Sequence, residues 1–260
     1  MTLLHTRRHG LMSPLLRICG WVRSPVCASL LLCAMLACAM LAGCTTTDVR
    51  TASDASGAPV RVHGSVVLIE PDIELYEVAA GGMSEPRPEW TETARRAYPQ
   101  AARDLLAAHG ATLLHDFVPP PQPQPDDRMH QLLLLHAAVA NSIVLHSKPG
   151  NDLVTKHGQF DWTLGPGVSV LRDRTGADYA LFTYIRDSYT GGGRAAMRVV
   201  GALLLSGDIG GGEQVGLASL VDLRTGQVVW FNLLVDENGD LRSAEGARAT
   251  VASLLKQVPL

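Results

Sequence analysis

Beyond residue 44 the sequence has no cysteine, because Cys19, Cys27, Cys33, Cys38 and Cys44 all fall at its start. That excludes a disulfide framework and a cysteine-built zinc site from everything that follows. Positive charge is also in short supply: 22 Lys and Arg stand against 25 Asp and Glu, for a net charge of -3. A nucleic-acid binder needs clustered basic excess, so that class is excluded and no nucleic-acid partner is expected. A disordered acidic tail is excluded as well, since 47% of the residues are apolar. Several catalytic signatures are missing. Gly167-Val168-Ser169-Val170-Leu171 lacks the second glycine of a nucleophile elbow. Gly191-Gly192-Gly193 and Gly210-Gly211-Gly212 are not followed by Lys-Ser/Thr, and neither has the Gly-x-Gly-x-x-Gly spacing of a phosphate-binding turn. No repeat of solenoid period occurs.

What is present is most distinctive at the start. Residues 1–43 carry Arg7, Arg8, Arg17 and Arg23 and no acid, and residues 26–42 (VCASLLLCAMLACAMLA) are free of charge. A positive segment, an apolar run and small residues before a cut make the pattern of a secretory signal. Leu41-Ala42-Gly43-Cys44 resembles the lipobox of bacterial lipoproteins. The resemblance implies that residues 1–43 are a lipoprotein signal peptide, that cleavage leaves Cys44 first, and that Cys44 carries the acyl (palmitate-type) chains of a membrane anchor. Thr45, not Asp, follows, so the implied destination is the outer membrane, facing the periplasm, with membrane lipid as the first partner. Met1 and Met12 both stand as starts. The rival is an uncleaved anchor, for which the apolar run is at the short limit.

Residues 44–59 are rich in Thr, Ser, Ala, Asp and Gly, and Val49 is their one large apolar side chain before Val60. Such a segment buries too little to offset its ordering entropy, so a flexible tether is expected. Residues 60–260 are expected to form a single α/β domain, with an α+β tendency, because helical and extended patterns alternate early and a hairpin comes late. Val66-Val67-Leu68-Ile69 reads as a buried strand. Residues 90–109 have helical spacing at Ala94, Ala97, Ala101, Leu105 and Ala108, with Pro99 either kinking the helix or starting it. Residues 111–118 read as a strand, and Pro119 to Pro125 as an extended connection. A helix is expected from Asp126 to His146 with Met129, Leu132, Leu133, Leu135, Val139 and Ile143 inward. Residues 178–186 read as a strand, residues 214–223 and 227–235 as a hairpin turning at Gly226, and residues 243–258 as a helix capped by Ser243. The expected order is strand, helix, strand, helix, strand, hairpin, helix, in a mixed sheet.

Gly176-Ala177-Asp178-Tyr179-Ala180-Leu181-Phe182 and Ser219-Leu220-Val221-Asp222-Leu223-Arg224-Thr225-Gly226-Gln227-Val228-Val229-Trp230 are similar to the matching stretches of the curli-secretion (CsgG-like) and TolB N-terminal-like periplasmic group. The resemblance implies an α/β fold and work in envelope assembly without catalysis.

The side chains capable of chemistry are thinly spread. His130 and His136 are about 240° apart around a helix, which suits no metal, and His136 is expected to be a hydrogen-bonded residue at the edge of the core. No cofactor and no metal are expected. His157 and Asp161, with Ser169, could be assembled into a periplasmic hydrolase, and this is the alternative function. Glycine triplets bracket the apolar stretch 194–209, and its Leu203, Leu204 and Leu205 are the candidate interaction segment, docking on an envelope protein or a second copy. The expected function is therefore a lipid-anchored envelope assembly or interaction module. A plain structural anchor without a specific partner is the remaining alternative.

Overall fold

β-Branched and aromatic residues concentrate in residues 179–190 and 214–236, and these form the centre of the sheet. In the computed structural model, which describes residues 45–78, 83–124, 127–190, 213–236 and 239–260, the strands are β1 (Thr45–Thr51), β2 (Ser65–Leu68), β3 (Asp72–Val78), β4 (Ser84–Pro86), β5 (Thr112–Leu113), β6 (Tyr179–Thr190), β7 (Gln214–Asp222) and β8 (Val228–Asp236). The helices are α1 (Pro88–Ala108), α2 (Arg128–His146), α3 (Ser169–Thr175) and α4 (Ala244–Leu254). The described strands form one mixed sheet in the order β1-β8-β7-β6-β2-β5, with β3 also beside β6 and β4 beside β3. β2 and β3 run parallel to β6, and β6, β7, β8 and β1 are successively antiparallel. The fold is α/β, as the alternation of patterns implies.

Because side chains alternate across a strand, each sheet face builds its own core. Leu181, Ile185, Ala218, Leu220 and Trp230 pack with Tyr98 and Ala102 of α1 and with Ala247, Val251 and Leu254 of α4. On the other face Ala180, Phe182, Leu217, Val221 and Phe231 pack with Leu132, Ile143 and Val144 of α2 and with Leu171 of α3. The hairpin turns where expected: Gly226 has φ +80° and joins β7 to β8. Ser243 caps α4, its Oγ accepting from the Gly246 amide at 3.0 Å.

Four expectations are corrected. Of the expected tether 44–59, the described part from residue 45 is not one, since residues 45–51 are an edge strand in register with β8, from Thr45 opposite Asp236 to Thr51 opposite Trp230. The Ala52 amide donates to Val229 O, Ala52 itself is fully buried, and a bridge from Ser53 to Pro59 folds the rest back. Main-chain hydrogen bonds supply what the side chains lack, and threonine suits a strand. Of the two alternatives for Pro99, a helix start there is overturned. Helix α1 starts with Pro88 in its first turn, where the missing N–H is not needed, and continues through Pro99. The strand expected over 111–118 contracts to two residues plus an isolated bridge from Phe117 to Ile69. In α2 the inward face is Met129, Leu132, His136, Ala140, Ile143 and Val144, so Leu135 points out, while His136 sits at the edge of the core as expected. The antiparallel pair of β3 and β4, unanticipated from sequence, rests on the alternation Ile73, Leu75 and the register of Val78 with Ser84.

Candidate functional site

Helix α2 carries the features that bear on function. Asp127 caps it, accepting from the Met129 amide at 2.9 Å. One face lies on the sheet, while Leu134, Leu135 and Leu145 on the other are 57%, 43% and 46% exposed. With the exposed Ala138 they make an apolar stripe at helical spacing that, among the described residues, nothing covers. The helix is long and apolar enough to cross a membrane by length and composition, although a third of that window is buried against the protein.

A cavity of about 560 Å³ opens beneath the side of α2, lined there by Leu133, Leu134, Ala137 and Ala140, and opposite by Ile69, Phe182 and Leu217. His136 forms part of its wall. The imidazole stacks on Phe182 with ring centroids 4.0 Å apart and shares a 2.6 Å hydrogen bond between Nε2 and Ser219 Oγ. Burial pushes its pKa down to about 3, so the ring is neutral and acts as packing with one polar contact. Arg186 forms another part. Its guanidinium stacks 3.9 Å above the Tyr184 ring, donates to Asp72 Oδ2 at 3.1 Å and reaches Glu74 at 3.4 Å. These contacts hold its pKa above the ordinary arginine value against the opposing effect of burial.

A second polar cluster closes the sheet end at which β1 begins. Asp187 is 1% exposed. It accepts from the Tyr189 hydroxyl, from Gln214 Nε2 at 2.8 Å and from the Leu241 amide at 3.3 Å. Gln214 in turn accepts from Thr250 Oγ1 at 2.9 Å, tying β6, β7 and α4 together. Burial raises the Asp187 pKa to about 6, against the lowering effect of these donors. Arg242 lies 3.8 Å above the Tyr189 ring and is paired with Asp240 at 2.8 Å.

Cys44 and the segment containing Leu203, Leu204 and Leu205 lie outside the described residues. His157, Asp161 and Ser169 are all on the surface. His157 ends a 3₁₀ turn with φ +50°, and Asp161 is engaged by Lys156, whose Nζ donates at 3.0 Å. Lys156 also sits 4.5 Å above Trp162, which stacks with His146. Among the described residues no three His, Cys, Asp or Glu side chains gather as a metal site would require. Sequence reasoning missed the exposed stripe and the cavity. The signal for the stripe was the run Leu132 to Leu135 in a helix with too many apolar residues for one face.

No family model matches the chain, and no curated protein does. Among solved structures it is similar to the PelC dodecamer from Paraburkholderia phytofirmans, at 15% identity over 84% of this chain and 98% of that one, with a TM-score of 0.34. A methionine-substituted variant of the same dodecamer gives 14% identity, 84% and 97% coverage, and a TM-score of 0.35.

Proposed function

We propose that the chain is a lipid-anchored, periplasm-facing interaction module of the cell envelope, without catalytic activity, that docks through the outward face of α2. The observation that carries this reading is the stripe of Leu134, Leu135 and Leu145, three large apolar side chains left in water on one helix. Scattered exposed leucines are ordinary; several large apolar side chains exposed along one helix are how soluble domains present a docking surface. The anchor rests on Leu41-Ala42-Gly43-Cys44. It gains meaning from β1, because an acyl chain on Cys44 would join the sheet with no spacer between lipid and folded strand. The docked partner is an envelope protein or a second copy of the chain.

The test is cross-linking in intact envelopes. Leu135→Asp with Leu145→Asp should abolish cross-linked species and leave the melting temperature within about 3 °C of the parent, since neither side chain is in the core. Cys44→Ser should separately leave a larger precursor that fails to reach the outer membrane. Unchanged cross-linking in the leucine variant removes the docking face, and normal processing of the serine variant removes the anchor.

A further inference from the structure

The strand beside β6 changes identity halfway along. β2 accompanies β6 from Tyr179 to Leu181 and β3 takes over from Tyr184, so Phe182 and Thr183 meet a seam crossed by Ile69, Glu70 and Pro71. The cavity beneath α2 opens at this seam. Its volume, about 560 Å³, is in the range that holds small organic ligands, and its walls are mainly apolar with a few polar groups, as such sites are.

The charges at its rim are unequally used. Arg186 is occupied by Asp72 and Glu74. Arg95 spends only its Nε, on Ile73 O at 3.1 Å. Among the described residues neither of its Nη atoms has a hydrogen-bond or ion-pair partner, and the Glu70 carboxylate has none. Both side chains line the cavity, yet they do not pair with each other. Deeper in the wall, Asn141 Oδ1 is buried without a donor, a state that native proteins resolve with water or ligand.

We propose that this cavity binds a small zwitterionic amphiphile, with its anionic group on Arg95, its ammonium on Glu70 and its apolar body between Leu133 and Phe182. An anion alone would meet the Glu70 carboxylate, and an apolar molecule alone would strip water from both charges without replacing it. A molecule with one charge of each sign satisfies both, and charge-assisted contacts are the strong ones. A short apolar peptide with free termini carries this chemistry, and so does a phosphoethanolamine lysolipid.

The experiment is calorimetric titration of the full chain in maltoside micelles. The probes are leucylphenylalanine, its N-acetyl and C-amide forms, and lysophosphatidylethanolamine. Saturable binding is expected for the zwitterions, weakened about tenfold by Arg95→Gln and by Glu70→Gln, with each capped dipeptide insensitive to loss of the side chain whose partner it lacks. Ala137→Trp, which fills the mouth from an exposed helical position, should abolish binding at an unchanged melting temperature. The tighter of dipeptide and lysolipid identifies the source. Absence of saturable binding by both, capped forms that bind as well as the free dipeptide, or undiminished binding to a folded Ala137→Trp variant would each overturn the assignment.

Discussion

At the scale of single residues, Gly226 shows how one position can carry two constraints. Its φ of +80° is a region that side chains rarely enter, and a Cβ there would lie 2.2 Å from the Gly165 carbonyl oxygen. The Gly226 carbonyl also accepts from the Leu164 amide at 2.8 Å, so the turn is clamped and cannot move aside. Gly176, with φ +72° and open space around it, carries only the first constraint. Gly176→Ala should therefore cost about 1 kcal/mol and Gly226→Ala about 3 kcal/mol or more, read by urea denaturation. Equal losses would show that the close approach is relieved. Asp187 gives a pH signature. Burial raises its pKa from 3.8 to about 6, so the folded state holds its proton more tightly than the unfolded chain does. Its contribution is most favourable below pH 3.8 and falls by roughly 2 to 3 kcal/mol as pH rises to about 6. Asp187→Asn should remove that fall, gaining stability relative to the parent between pH 4.5 and pH 7. Parallel pH profiles for the two proteins would contradict the assignment.

At the scale of elements, β1 is the informative case. Composition assigns residues 44–59 to a tether, yet β1 is hydrogen-bonded to β8 over its whole length. The Ala52 amide donates to Val229 O, and the two-residue alternation of an antiparallel ladder makes Arg50 and Asp48 donors as well. Their amides should exchange slowly with deuterium, and those of Val49 and Thr51 faster; uniform rapid exchange over 45–51 would restore the tether. Helix α2 shows the opposite difficulty. Its residues are legible as helical from sequence, but so many are apolar that periodicity does not choose the face, and Leu135, which the spacing turns inward, is exposed. In the closing helix the spacing of Ala247, Val251, Leu254 and Leu255 points to one inward face, and all four are buried.

For the whole molecule, the pairing of Thr45 with Asp236, of Asp236 with Gln214 and of Gln214 with Asp187 sets one end of the sheet immediately after Cys44. If Cys44 is acylated, the folded domain is held against the membrane by a strand and not by a flexible chain. Insertion of about ten Gly and Ser residues before Thr45 should add roughly 15 to 20 Å of mean reach. Energy transfer from a dye on the domain to one in the bilayer should fall accordingly, and unchanged transfer would show that the junction is not rigid. Local chemistry let the sequence by itself determine the charge-free run and lipobox-like ending, the α/β class, the Gly226 hairpin and the closing helix. Each depends on neighbours a few residues apart, through periodicity, capping or the conformational freedom of glycine. Only the tertiary structure decided that a threonine-rich segment is a strand, that Leu135 is exposed, and that a cavity opens where β2 gives way to β3. Those outcomes depend on which distant backbone offers hydrogen bonds and which face a helix turns to the sheet, and no local pattern encodes either.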